Sequence, residues 1–275
     1  MCKPEKAHFA QLVTNPMLRK TSSLRTRHHI SPSFIGLVAI MIISGVMMYN
    51  DMALSETIGP FLFVVSGWLI ALCLHEFGHA IVAYKGGDKA VADTGYLTLD
   101  PLSYTHPVYS LLMPTLFIIM GFIALPGGAV YIRPSRLRSR DWQSAVSVAG
   151  PFMTLLCLCL TAVPFSLGLH KMGGTGLFWC SLALLAGFLA ISLIWNLLPI
   201  PGLDGWGIIE PYLSYELQAI GHKWRQAGPT LLIIAVFLFR PLGQFVAKGM
   251  IAIIELMDIP SIYFFAGYQA FSLFK

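Results

Sequence analysis

Long apolar stretches dominate this chain and limit the folds open to it. Four uninterrupted stretches run over Phe34–Tyr49, Ile58–Tyr84, Ala145–Leu167 and Leu177–Ile200. Each is close to the roughly 20 residues that a helix needs to cross the hydrocarbon core of a bilayer. Hydrophobic residues fill 56% of the 275 positions and charged residues only 11%, which is too little charge to cover a soluble domain. The sequence therefore predicts an all-α polytopic membrane protein.

Two further apolar regions are interrupted. Val108–Pro126 contains Pro114 and Gly121, and the tail after Pro229 contains charged residues and another proline. Proline and glycine weaken or break a regular helix. With these regions included, we expect a bundle of about five to six transmembrane helices, in which one apolar segment is re-entrant or forms a hairpin.

Basic residues cluster beside the apolar stretches. Of the 18 Lys and Arg residues, six lie in the first 33 positions and four in the loop before Ala145. They are Lys3, Lys6, Arg19, Lys20, Arg25, Arg27, Arg133, Arg136, Arg138 and Arg140. Such clusters mark cytoplasmic segments that face anionic lipid. We therefore expect a multi-pass protein of the cell (inner) membrane with a cytoplasmic N-terminus, and no binding of nucleic acid despite the net charge of +5.

The second apolar stretch contains three ionisable side chains within five residues, namely His75, Glu76 and His79. On a helix, positions i and i+4 share a face, so the two imidazoles can bind one Zn²⁺ ion and Glu76 can act as a general base beside it. Each ionisable group inside a membrane helix costs about 2–3 kcal/mol, and a metal ion would compensate that cost. The alternative is a cluster at the membrane interface whose side chains reach water.

A catalytic zinc site needs a third protein ligand. The other histidines lie in polar, basic or turn segments: His28, His29, His106, His170 and His222. Asp204 stands apart because it follows Leu177–Ile200, and Pro199 and Pro201 interrupt the helix between them, at membrane depth. Two interpretations stay open from spacing alone. Asp204 either completes the metal site or N-caps a helix predicted over Gly205–Leu217.

Two motifs in order resemble those of a known family. Residues 75–79 read His-Glu-Phe-Gly-His, and residues 196–205 match Asn-x-x-Pro-x-x-x-Leu-Asp-Gly at every fixed position. Together they resemble the site-2 protease family of intramembrane zinc metalloproteases. The segments Ala149-Gly150-Pro151 and Leu99-Asp100-Pro101-Leu102 are also similar, the latter to the compact bacterial members. The resemblance covers about residues 58–210, and we expect the compact type without a PDZ or regulatory domain.

The resemblance implies a fold, a metal and an activity. The core at about 58–210 would belong to an integral membrane metalloprotease domain over residues 34–275, and the charge pattern predicts a basic cytoplasmic segment over residues 1–33. One Zn²⁺ per chain would be bound by His75, His79 and Asp204, with Glu76 as the catalytic base. The protein would be a zinc-dependent intramembrane endopeptidase that hydrolyses peptide bonds in or near transmembrane segments. Its partners would be a membrane-protein substrate and the lipid bilayer, and its oligomeric state is left open.

Substrate contacts are less determined by the sequence. Asn196 lies close in sequence to Asp204 and is a candidate for binding substrate or the oxyanion; alternatively, its amide hydrogen-bonds the backbone freed near Pro199. Gly95–Leu99 and Gly128–Ile132 have strand-like patterns and could hold an unwound substrate by β-addition. Ordinary loop structure is the alternative for both segments.

Two other functions compete with the protease interpretation. A catalytically inactive scaffold could bind zinc and hold a membrane partner, although it would not need the general base Glu76. A metal transporter is a second alternative, but transporters tend to show internal repeats, and this sequence has a single motif of this kind and no repeat.

The charge pattern also gives each span a direction. A cytoplasmic N-terminus sends Phe34–Tyr49 outward and brings Ile58–Tyr84 back, so the histidine motif lies nearer the cytoplasmic end. For Asp204 to reach the same depth, Leu177–Ile200 must also run towards the cytoplasm. An odd number of crossings must then lie between these two spans, yet two apolar regions intervene. Val108–Pro126 is the region expected not to cross, which also leaves the four arginines of residues 133–140 cytoplasmic.

This topology predicts where the arginine loop can be labelled. In Arg136→Cys and Arg138→Cys variants, we expect a membrane-impermeant thiol reagent to react in inside-out vesicles and not in right-side-out vesicles, because the loop faces the cytoplasm. The unsubstituted chain gives the background from its own cysteines. Reaction only from the outer face would contradict the predicted topology.

Overall fold

The computed structural model describes residues 30–52, 55–103 and 132–271, and these are helices and connecting turns, with no strand among them. The four long helices are α1 Pro32–Tyr49, α2 Ser55–Gly86, α3 Arg140–Ser166 and α4 Gly176–Leu197. The shorter ones are α5 Asp204–Ile209, α6 Tyr215–Trp224, α7 Gly228–Leu238, α8 Arg240–Leu256 and α9 Ser261–Phe271. Single 3-10 segments are Lys89–Thr94, Tyr96–Thr98, Pro101–Ser103, Pro134–Arg136, Leu169–Lys171 and Glu210–Tyr212. The predicted all-α architecture is confirmed.

The four long helices coincide with the four uninterrupted apolar stretches. Within the described ranges, these four are long and apolar enough to cross a membrane, and α7 and α8 form a pair bent by 94° that adds a fifth if counted as one span. Five is the lower bound of the predicted five to six. The predicted re-entrant segment Val108–Pro126 lies outside the described residues. So do His106, residues 128–131 of the strand-like segment Gly128–Ile132, and most of the basic N-terminal segment.

The helix boundaries follow local hydrogen bonding. The side chains of Ser31, Ser139 and Thr175 each accept a hydrogen bond from a backbone N–H in the first turn of α1, α3 and α4. Serine and threonine at this position satisfy amides that have no partner within the helix. At its other end, α4 stops at Leu197, two residues before Pro199, because the residue before a proline is driven out of the helical conformation.

α4 is the most enclosed of the four candidate spans and α1 the least. α4 packs against α2, α3, α8 and α9, and α2 also packs against α1 and α3. Large side chains such as Leu184 and Leu185 of α4, Val64 of α2 and Leu158 of α3 are fully buried in one cluster. The core therefore lies between α2, α3 and α4, which are the helices that border the site described below.

Successive long helices run in opposite directions, so α2 and α4 run in the same direction. The backbone N–H of Arg138, just before α3, donates to the carbonyl of Gly86 at the end of α2 (3.0 Å). At the opposite end, Thr175 Oγ1 donates to the carbonyl of Met48 (2.6 Å), so α4 begins where α1 ends. We call the end where α2 stops and α3 starts the motif end of the bundle, because the histidine motif lies in the half of α2 nearest to it.

At the motif end, Asp88, which precedes the segment 104–131, contacts residues that follow this segment. This carboxylate is 1% exposed; its Oδ2 accepts a hydrogen bond from the backbone N–H of Arg133 (3.0 Å), and its Oδ1 lies 3.5 Å from Arg136 Nη1. Leu99 and Ile132 pack against the same apolar cluster. The chain thus enters and leaves residues 104–131 at one end of the bundle. This is the arrangement expected if Val108–Pro126 does not cross the membrane.

The structure decides two local expectations. Of the strand and loop interpretations of Gly95–Leu99, the loop is correct: Tyr96–Thr98 forms a 3-10 turn between Gly95 and Leu99, whose φ angles of +83° and +59° are outside the extended region. The helix predicted over Gly205–Leu217 is broken into three pieces. Pro211 lies at the break, and proline has no N–H to donate to the preceding turn.

The buried position of Asp88 predicts a stability effect. Asp88→Ala removes the acceptor of the Arg133 N–H and the partner of Arg136, and a buried polar group left without its partner costs about 1–3 kcal/mol. We expect a lower midpoint in thermal unfolding of the detergent-solubilised protein. Asp93→Ala, at an exposed position of the same connection, is the control and should leave the midpoint unchanged. Equal midpoints for the two variants would contradict the assigned role.

Candidate metal centre

The histidine motif lies on the part of α2 that the other helices enclose. His75, Glu76 and His79 are 6%, 3% and 7% exposed. His75 and His79 are one turn apart on α2, and their Nε2 atoms approach to 3.1 Å. Two imidazole nitrogens therefore converge on one point, with the carboxylate of Glu76 on the same turn of the helix.

Asp204 reaches this point from the start of α5. Its Oδ2 lies 3.2 Å from His75 Nε2, and its Oδ1 lies 3.3 Å from His79 Nε2. The N-cap position of α5 belongs to Leu203, and Asp204 is the first residue within the helix. Of the two interpretations left open by the sequence, N-capping is therefore wrong, and Asp204 is directed at the two histidines.

These three side chains fit a metal ion. Within the described residues, one nitrogen or oxygen from each of His75, His79 and Asp204 lies within 4.8 Å of the others. Zinc binds His nitrogen and carboxylate oxygen at about 2.0–2.2 Å in a tetrahedron, whose corners are then about 3.3 Å apart. The two Nε2 atoms are 3.1 Å apart, and each lies 3.2–3.3 Å from a different oxygen of Asp204. Two histidines and a carboxylate are also the donor set of catalytic zinc sites that keep a fourth position open.

Three residues of α3, spaced four apart, lie against the two imidazoles. His79 Nδ1 lies 2.7 Å from the carbonyl oxygen of Val146, and His75 Nδ1 lies 2.9 Å from Thr154 Oγ1. Gly150 is midway between them. Hydrogen bonds to Nδ1 orient metal-binding histidines and leave Nε2 for the metal.

The middle position admits only glycine. A Cβ built on Gly150 would collide with His79 Nε2 and lie 2.6 Å from His75 Nε2. On the facing helix, a Cβ on Gly78 would lie 2.7 Å from the Ala149 carbonyl oxygen. Glycine on both helices thus lets the α2 and α3 backbones approach closely, which brings the imidazoles within reach of Val146 and Thr154.

α3 also supports the carboxylate. Ser144 Oγ donates to the carbonyl of Ile208 in α5 (2.9 Å), and a Cβ on Gly207 would collide with Ser147. The carboxylate faces Nε2 of both histidines, and its ionised form is the one that binds a metal.

Comparison with known proteins places the chain in a family. It is 42% identical over 218 residues to "Putative zinc metalloprotease Rip2" of Mycolicibacterium smegmatis, covering 77% of this chain and 81% of that protein. A protein of the same name from Mycobacterium tuberculosis is 40% identical over 218 residues, covering 76% and 78%. The chain belongs to the site-2 protease family. "Putative zinc metalloprotease YwhC" of Bacillus subtilis is 29% identical over 207 residues, covering 69% and 85%. No family model and no solved structure matches the chain.

The other candidate ligands in the described residues lie elsewhere. His170 packs among the rings of Phe165, Trp179 and Tyr263, after the end of α3 that lies opposite the motif end. His222 is exposed on α6. Asn196 is half-buried near the end of α4, and its amide makes no hydrogen bond within the described part of the chain, so the backbone-bonding alternative is not observed there. Its role towards substrate stays a prediction, as do the ligand and catalytic roles of the other site residues.

Sequence reasoning missed the contribution of α3. The segment Ala149-Gly150-Pro151 is similar to the family, but this similarity does not identify Val146 or Thr154 as partners of the histidines. Val146 and Thr154 are eight residues apart on α3, whereas His75 and His79 are four apart on α2. The spacing of the histidines therefore gives no signal in the sequence for their partners.

The space around Gly150 yields a prediction. Gly150→Ala introduces a methyl group that displaces both imidazoles, so zinc affinity should fall by about 10–100-fold or more. The measurement is zinc content after dialysis against a graded series of chelator concentrations. Gly36→Ala in α1 is the matched control, because a Cβ there meets nothing within 4 Å. If Gly150→Ala binds zinc as the parent does, the geometry of this site is wrong.

Proposed function

We propose that this member of the site-2 protease family is a zinc-dependent endopeptidase that hydrolyses peptide bonds in or near transmembrane segments of membrane proteins. The observation that carries the proposal is a buried general-base candidate, Glu76, on the same helical turn as two histidines whose ring nitrogens converge with the Asp204 carboxylate. The names of its relatives support zinc as the metal and proteolysis as the reaction.

In the proposed mechanism, His75, His79 and Asp204 hold the zinc ion. When bound, zinc supplies Lewis acidity, which polarises a carbonyl group and lowers the pKa of water. Glu76 accepts the proton of the attacking water and returns it to the nitrogen of the departing amine, so that one carboxylate acts as base and then as acid. The Asn196 amide, near the end of α4, donates a hydrogen bond to the substrate carbonyl or the oxyanion.

The depth of the site supports a membrane substrate. At 1.5 Å per residue, His79 and His75 lie about 10 and 16 Å from the end of α2. The candidate span Ile58–Gly86 has 29 residues, or about 43 Å, against a hydrocarbon core of about 30 Å. If α2 is centred in the bilayer, the histidines lie about 4–10 Å inside the core. A peptide bond cleaved there belongs to a segment that enters the membrane and has locally unwound.

The orientation follows from the charge pattern. We place the N-terminus and the motif end at the cytoplasmic face of the cell (inner) membrane, because exposed Arg133, Arg138 and Arg140 lie at that end beside Lys85. Cytoplasmic loops carry such an excess of basic residues. Substrates would then be cut nearer the cytoplasmic side of their transmembrane segments.

Replacement of Glu76 separates the proposed functions. Glu76→Gln keeps the shape of the side chain but cannot accept the proton, so cleavage of a membrane-tethered substrate should fall by at least about 100-fold, with zinc content unchanged. Reconstituted protein and gel analysis of a tagged membrane substrate give the rate. Glu216→Gln, on the exposed surface of α6, is the control and should cleave normally.

Two results would reject the protease proposal. Undiminished turnover in Glu76→Gln would show that the observed cleavage does not need the base. Zinc binding without cleavage in the parent protein, over a panel of membrane substrates, would favour a zinc-binding scaffold, and zinc flux into proteoliposomes would favour a transporter.

A further inference from the structure

The two imidazoles of the metal centre have different partners at Nδ1. The partner of His79 is the carbonyl oxygen of Val146 at 2.7 Å. A carbonyl can only accept, so His79 Nδ1 carries a hydrogen and Nε2 keeps its lone pair for the metal. The partner of His75 is the hydroxyl of Thr154 at 2.9 Å. A hydroxyl can donate or accept, so this contact alone does not determine which nitrogen of His75 is protonated.

A second contact of the same hydroxyl favours His75 as the donor. Thr154 Oγ1 also lies 3.4 Å from the carbonyl oxygen of Gly150, one turn earlier on α3. Because this carbonyl can only accept, the hydroxyl hydrogen points to Gly150 and the hydroxyl oxygen accepts from His75 Nδ1–H. Thr154 is 3% exposed, so bulk water does not compete for either bond.

We propose that Thr154 is a positioning residue of the metal centre. Its hydroxyl links His75 Nδ1–H to the Gly150 carbonyl, which holds the His75 ring in place and keeps the Nε2 lone pair directed at the metal. The inference rests on the proposed zinc site and goes beyond its ligands. Partners at this position in other metalloproteins are worth about 10–100-fold in metal affinity.

The same helix provides a matched comparison. Threonine in a helix often bonds a carbonyl of the preceding turn without any further role. Thr161 does so on α3: its hydroxyl donates to the carbonyl of Leu158 at 2.7 Å, and the residue is 8% exposed. Thr161 is seven residues beyond Thr154, away from the metal centre. Replacement of Thr161 therefore measures what the loss of a buried helix hydroxyl does by itself.

The test measures metal affinity rather than turnover. Full-length protein in detergent is stripped of metal and titrated with zinc against a competing chelator, and with cobalt while its visible absorption is recorded. Thr154→Val keeps the shape and removes the hydroxyl, so we expect zinc affinity to fall by about 10–100-fold and the cobalt spectrum to change. Thr154→Ser, which keeps the hydroxyl, and Thr161→Val should stay within about threefold of the parent.

Each outcome is decisive. Zinc affinity of Thr154→Val within about threefold of the parent overturns the inference and leaves the proposed function intact. An equal loss in Thr154→Val and Thr161→Val also overturns it, because the effect is then general to the helix. A parent chain that does not bind zinc overturns the proposed function and this inference with it. If Thr154→Val does not fold, Thr154→Ala removes the same hydroxyl, and the expected loss is the same.

Discussion

The bundle is organised around two buried imidazoles and a carboxylate that share one small volume between apolar helices. Polar groups in such a place are costly unless every one of them has a partner. Here His75 and His79 each have one on the Nδ1 side, from α3, and both face Asp204 on the Nε2 side. A divalent cation at the centre would balance the carboxylate in an interior of low dielectric constant. Each imidazole therefore has a partner from α3 at Nδ1 and faces the Asp204 carboxylate at Nε2.

α3 contributes small side chains and a backbone carbonyl group to this centre. Helices in membranes associate through small residues that let their backbones approach, and Gly78 facing Ala149 is such a contact. The close approach also lets the Val146 carbonyl reach an imidazole, which a bulkier contact would prevent. Gly150 then leaves the space in which the two Nε2 atoms meet. The same feature thus provides the packing of α2 on α3 and the orientation of the ligands.

The sequence predicted the long helices because span length and helix capping are local properties. It predicted His75, Glu76 and His79 as one cluster because their spacing places them on adjacent turns of one helix. It did not pair Thr154 with His75, since that contact joins residues 79 positions apart and depends on how α2 and α3 pack. It left strand and loop open at Gly95–Leu99 because a short apolar alternation has no signal for left-handed residues, which end an extended segment.

For Asp204, the local sequence pattern does not determine the role of the side chain. Its spacing from Leu177–Ile200 fitted either a ligand or a helix cap, and only the path of the chain between α4 and α5 decides between them. Gly202 has a φ of +97°, a conformation that glycine adopts without strain, and the chain turns back there towards α3.

The contact between α4 and α5 then fixes the carboxylate. A Cβ on Gly205 would collide with the Leu197 carbonyl at the end of α4, so any side chain there would push the start of α5 away and carry Asp204 off the histidines. An aspartate within α4 would lie among fully buried apolar neighbours, at the cost of an isolated charge. Placed at the start of a separate short helix, the carboxylate enters from the motif end and is supported by α3. The prolines and glycines of residues 196–205 therefore let the chain leave the apolar helix α4 and place the Asp204 carboxylate at the centre of the bundle.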